Sequence, residues 1–123
     1  MVRGRQLDEQ RQELYPKAIM KYKFMMHPIR LAICKILSSQ MSYPSAELRE
    51  VLDIPWNDFS THTKALSSKE YLYVEDKFID GQVKQVVSLS TKGLSQYNSL
   101  IESLVDFIED SPIYGNYKND LED

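Results

Sequence analysis

The sequence predicts a small α+β domain, mainly helical, and three observations point that way. Apolar residues recur at helical spacing in five stretches of the 123-residue chain. Two runs, Tyr71-Leu72-Tyr73-Val74 and Gln85-Val86-Val87-Ser88-Leu89, are rich in aromatic and β-branched residues, which favours strands. Between them lies Asp80-Gly81, a hairpin-turn signal, because glycine accepts positive φ without strain.

Taken in order, residues 7–26 read as a helical arm, with Leu7, Leu14, Ala18 and Met25 on related faces and a break or kink at Pro16. Met25-Met26-His27-Pro28 is a boundary, since a residue before proline avoids the helical region. His27 is expected to start the next helix, with Pro28 in its first turn. That helix runs to about Ser39, and Ile29, Leu31, Ile33, Ile36 and Leu37 form its buried stripe. Gln40 to Tyr43 is a connector. Ser45 is the expected N-cap of a short helix, 45–52, with Leu48, Val51 and Leu52 on its core face. After the turn Asp53-Ile54-Pro55-Trp56, Asn57 or Asp58 caps a third helix, 57–69, whose inner face carries Phe59 and Leu66. The hairpin spans 72–89. Ser90-Thr91 caps a final helix from Lys92 to about Ile108, and an acidic tail, 111–123, follows. The expected organisation is an arm (1–26), a central domain (27–93), a terminal helix (94–110) and the tail.

Charge is unevenly distributed. Residues 1–26 carry six bases against three acids, residues 27–93 eight against eight, and residues 94–123 one against seven. The overall charge of −3 argues against indiscriminate coating of nucleic acid, yet the acidic end masks a front half able to face phosphates. No apolar stretch follows the first charges and no run approaches the ~18 apolar residues of a membrane span. A cytoplasmic location is expected.

Two short helices joined by a tight turn and followed by a hairpin make a winged helix-turn-helix with a two-stranded wing. In such a fold the second helix fits the major groove and the hairpin tip meets the adjacent backbone. With Phe59 and Leu66 turned inward, Asn57, Asp58, Ser60, Thr61, Lys64, Ser67 and Ser68 remain outside, and their small hydroxyl and amide groups suit base edges and phosphates. Asp58 is assigned to capping. On the wing, 77–85, Lys77 and Lys84 flank the turn as candidate phosphate contacts, with Gln82 at the tip.

The chain also resembles the ArsR/MarR-type winged-helix regulators. The resemblance rests on His27-Pro28-Ile29-Arg30-Leu31-Ala32-Ile33, Glu47-Leu48, Ser60-Thr61-His62 with Leu66, Tyr71-Leu72, and Leu89-Ser90-Thr91-Lys92-Gly93. It is closest to the small archaeal and bacterial subgroup, and covers about residues 24–108. It implies that Ser60, Thr61, His62 and Lys64 lie on or beside the groove-facing surface. The pattern departs at Thr63, where an apolar residue is common, and at Glu70, where a glycine is; the helix would then end without a left-handed glycine cap and run on by a residue.

Other chemistries find little support. The single Cys34, in an apolar run, reads as a small buried hydrophobe. His27 and His62 lie far apart without metal-ligand spacing, so neither a metal nor a cofactor is expected. No nucleophile elbow, phosphate loop or facing carboxylate pair is present, so the chain does not read as an enzyme. Leu94, Tyr97, Ile101, Leu104 and Ile108 follow a heptad spacing, and Leu100, Val105 and Phe107 widen that surface. A homodimer through this helix and the N-terminal arm is expected. The reading is therefore a homodimeric, sequence-specific regulator that binds double-stranded DNA. The alternative is a winged-helix protein-interaction module that touches no DNA. A small-molecule effector, in a pocket near Tyr15, Tyr22, Trp56 and the methionines, is allowed but not indicated.

Overall fold

A computed structural model describes residues 17–113; the expected first part of the arm, with Leu7, Leu14 and the break at Pro16, and the tail beyond Ile113 lie outside the described residues. In chain order the elements are α1 (Lys17–Met20), a 3-10 turn (Lys23–Met25), α2 (Pro28–Gln40), β1 (Ser42–Pro44), α3 (Ser45–Leu52), α4 (Trp56–Ser68), β2 (Leu72–Ile79), β3 (Gln82–Leu89) and α5 (Thr91–Glu109). The chain divides into two compact units, Phe24–Asn98 and the segments on either side of it.

Within Phe24–Asn98, α2 starts as its sequence dictates. The His27 side chain accepts from the Ile29 amide at 3.1 Å, and Pro28 occupies a position where an N–H would go unused. Its buried stripe is narrower than expected: Ile33, Cys34 and Leu37 are buried, while Ile29, Leu31 and Ile36 are half-buried. Cys34 is fully buried, and burial pushes its thiol up to about 12, so it packs as a hydrophobe.

The expected connector after α2 contains a strand. β1 pairs antiparallel with β3 (Ser42↔Ser88, Tyr43↔Val87, Pro44↔Val86), so the two-stranded wing belongs to a three-stranded sheet of order β1-β3-β2. Three residues ending in proline show no period of two, and the edge position is where a strand tolerates proline. α3 follows at once. Its N-cap is Pro44, not Ser45, which is instead the first helical residue and is buried. Leu48 is buried as expected, but Val51 is exposed and Leu52 half-buried.

α4 begins at Trp56 with Pro55 as N-cap, so neither Asn57 nor Asp58 caps it; Asp58 sits in the first turn, where its charge suits the helix dipole. Phe59, Thr63 and Leu66 are its buried residues. Thr63 can be buried because its hydroxyl donates to the Phe59 carbonyl at 2.9 Å. The helix ends at Ser68, without running on. Tyr71 N–H donates to Leu66 O at 3.0 Å and Glu70 N–H to Ser67 O at 2.9 Å, the two bonds of a Schellman motif. Glu70 itself takes the left-handed position, at φ 62°.

β2 and β3 pair from Leu72↔Leu89 to Ile79↔Gln82. Asp80 and Gly81 both have positive φ, 51° and 80°, as a type I′ turn requires. Ser90 caps α5 by accepting from Gly93 N–H at 2.9 Å, and its own hydroxyl donates to Glu70 O at 2.6 Å. Gly93 is needed there: a Cβ would press on the Tyr71 backbone and lie 2.8 Å from Leu89 Cδ1.

In the other unit, the described part of the arm is not one continuous helix. α1 makes a single turn, Tyr22 N–H donates to Ile19 O, and Ile19 is buried. On the α5 residues of this unit, Leu100 is fully buried, Ile101 and Leu104 are half-buried, and Val105, Phe107 and Ile108 are exposed. Among the described residues no helix is long and apolar enough to cross a membrane.

Candidate nucleic-acid interface

The helical period that turns Phe59, Thr63 and Leu66 inward turns Asn57, Thr61, Lys64 and Ser68 outward, and all four are exposed. Thr61 Oγ1 donates to Asn57 O at 2.8 Å and Ser68 Oγ to Ala65 O at 2.6 Å. Their hydroxyl protons are thus spent along the helix, and their oxygens face outward as acceptors. Lys64 supplies the charge on this face.

One flank of α4 borders the sheet. A groove of about 550 Å³ runs there, lined by Ser60, Thr63, Lys64, Ser67 and Ser68 on one side and Val74, Gln85 and Val87 on the other. The opposite flank carries His62, half-buried, with its ring 4.0 Å from that of His27 and its Nδ1 accepting from Arg30 Nε at 3.1 Å. The His62 pKa is held below the ordinary 6.5, first by burial and then by the His27 and Arg30 charges; Asp58 opposes this.

On the hairpin, Lys77 and Lys84 are cross-strand partners. Lys77 is exposed, while Lys84 Nζ lies 3.9 Å from Glu47 Oε1. Gln82 is exposed beside the turn. Phe78 and Val83, also cross-strand partners, are 76% and 69% exposed, so the tip is more apolar than charge alone implies.

A family model described as the winged helix DNA-binding domain matches residues 29–108. The chain belongs to that family. Its fold is also that of MarR-type regulators. A transcriptional regulator homologue from Pyrococcus horikoshii is 24% identical, with a TM-score of 0.72, over 80% of this chain and 95% of that one. A MarR-like protein from Bacillus cereus shares 15% identity at a TM-score of 0.60, covering 98% and 94%. A mutant of MepR from a multidrug resistant S. aureus clinical isolate shares 15% at 0.59, covering 96% and 87%. No curated protein sequence matches the chain.

In winged-helix terms, α4 takes the place of the recognition helix and β2–β3 that of the wing. Asn57, Ser60, Thr61, His62 and Lys64 share the first, although Ser60 and His62 stand on opposite flanks of the outer face. Lys77, Gln82 and Lys84 share the outer half of the second. Of the heptad residues, Leu94 and Ile108 are exposed at 39% and 44%, and Tyr97, Ile101 and Leu104 are half-buried. The Tyr97 hydroxyl is raised by burial first and by nearby Cys34 second, while a hydrogen bond with Ser38 lowers it.

Two residues beside α4 escape a reading of sequence spacing. His27 starts α2 as expected but also stacks on His62, and Arg30 anchors that stack. The signal available was the His27–Arg30 opening, which carries no hint of its distant partner. Among the described residues, no group of three His, Cys, Asp or Glu side chains stands ready to hold a metal ion.

Proposed function

We propose that the protein is a sequence-specific transcription regulator that places α4 in the major groove of double-stranded DNA as a homodimer in the cytoplasm. The observation that carries this reading is the outer face of α4: exposed Asn57, Thr61 and Lys64 over a buried face of Phe59, Thr63 and Leu66. Thr61 and Lys64 meet base edges, and Lys77, Lys84 and Gln82 meet the backbone from the wing. Leu94, Tyr97, Ile101, Leu104 and Ile108 form the seam with a second copy, and two recognition helices about one DNA turn apart then favour a pseudo-palindromic site.

Selection of bound sequences from a random duplex pool tests the reading. Wild-type protein enriches a two-fold motif. Thr61→Ala with Lys64→Ala loses most of that preference, because each base contact contributes about 1–3 kcal/mol of discrimination. No enriched motif, or the same motif from the variant, sinks the assignment. For the seam, Ile101→Glu with Leu104→Glu yields a monomer or an aggregate by light scattering; an unchanged dimer mass removes α5 from the interface.

The apolar wing tip favours a second reading. Exposed Phe78 and Val83, with Trp56 on the neighbouring surface, suit a protein partner, and the balanced charge of residues 27–93 is compatible with one. Binding to duplex DNA that does not respond to salt would support it.

A further inference from the structure

The flank of α4 that faces α2 carries a pair of hydrogen-bond donors whose state is set by their neighbours. The His27 and His62 rings lie 4.0 Å apart with their planes at 31°. Ile29 N–H donates to His27 Nδ1, and Arg30 Nε–H to His62 Nδ1, each at 3.1 Å. A backbone amide and a guanidinium offer no lone pair, so both Nδ1 atoms are unprotonated acceptors. Each neutral ring therefore carries its proton on Nε2. Arg30 is itself held, with Nη1 donating to Phe24 O at 2.8 Å and the guanidinium 4.3 Å over the Phe24 ring centroid. Two imidazoles from separate helices thus stand side by side, each with one N–H that meets no protein acceptor among the described residues.

We propose that His27 and His62 together grip one phosphate of the DNA backbone through their Nε2–H groups, tying the start of α2 to the recognition helix on the duplex. This rests on the DNA-binding reading of α4. A helix seated in the major groove turns its outer face to base edges and its flanks to the two backbone walls, and the histidine pair occupies a flank. The positive end of the α2 dipole lies beside it and favours an anion. A metal cation does not fit, because it would need both Nε2 atoms unprotonated while the Nδ1 atoms stay occupied. With both Nδ1 atoms accepting, the clamp acts as a pair of neutral donors. His62 faces His27 and Arg30 on α2 and Asp58 on its own helix, and the balance disfavours its protonation.

Neutral donors leave a signature that lysines do not: they add affinity without adding counterion release. On a fixed random-sequence duplex at about pH 8, His62→Leu weakens binding about tenfold with an unchanged salt slope. His62→Gln, whose amide N–H reaches where Nε2–H was, restores most of the loss. His27→Leu, a second variant on a different helix, gives a similar loss, and the two combined lose little more than either alone, since one phosphate needs both. Binding by His62→Leu equal to wild type, a slope reduced by one, or no recovery with Gln overturns the clamp. In that case wild-type binding, with its slope reduced by Lys77→Ala, leaves the DNA reading standing. Wild-type protein that ignores duplex DNA overturns both.

Discussion

Helix α4 is held in place by three buried side chains, whereas the hairpin between Asp76 and Gln85 has none. The inner half of the hairpin is different: Leu72, Val86 and Val87 are buried, and β3 has a partner strand on each side. Beyond that point the outer wing stands on its own ladder and its type I′ turn. The difference teaches how one small domain can hold a packed helix beside an arm that is exposed along its outer half. Burial fixes the first, whereas the second relies on backbone pairing and the 3.9 Å ion pair from Lys84 to Glu47.

Leu66→Ala tests the comparison most severely. Leu66 is fully buried, so the substitution costs about 2–5 kcal/mol in denaturant melts, while Phe78→Ala on the outer wing changes stability by less than about 0.5 kcal/mol. A large effect at Phe78 would mean that the wing tip is packed after all. Gly93→Ala comes next. The added methyl group presses on the Tyr71 backbone just before β2, so a loss of about 1–3 kcal/mol is expected, as for an overpacked core. A neutral result would show that the base of the hairpin yields and is no more rigid than its tip.

The joint between the two regions gives a smaller, opposite effect. Glu70 holds positive φ without being glycine, so Glu70→Gly relieves strain and raises stability in thermal melts, by up to about 1 kcal/mol after the entropy of the unfolded glycine is counted. The lost contact to Lys92, 3.9 Å and exposed, subtracts little. A destabilised variant would show that the Glu70 side chain holds the joint.

The smallest effect is that of pH. His62 has a folded pKa below its unfolded 6.5, so its contribution is complete above 6.5 and is lost as pH falls through that value toward the lower folded one. The melting temperature of wild type should fall more steeply across this window than that of His62→Gln. Parallel curves would remove the histidine from the balance.

How much of this was legible in the sequence follows the range of each signal. The wing turn, the inward pair Phe59 and Leu66 and the Ser90 cap are set by neighbours in sequence, and all appear where the pattern puts them. β1 was not legible, because three residues ending in proline become a strand only through pairing with β3. The left-handed Glu70 was legible only as a position where glycine is common. The Schellman bonds at the end of α4 hold it at positive φ, and the Ser90 hydroxyl on its carbonyl ties the joint from across the fold, which the sequence does not show. In the candidate site, the outward residues of α4 follow from its period. The stacking of His27 on His62 does not, since it depends on where α2 and α4 meet.

The position of β1 carries a consequence for how such a domain can diversify. All three of its pairs, Ser42↔Ser88, Tyr43↔Val87 and Pro44↔Val86, clip the inner end of β3, and α3 starts at the very next residue, Ser45. Aim is therefore set at the root of the hairpin, and reach is set at its tip. Residue pairs added or removed between Asp76 and Gln85 would lengthen or shorten the arm while the helices keep their bearing. A lineage of such proteins can then adjust how far the arm stretches by small symmetric insertions, without re-solving the packing beneath.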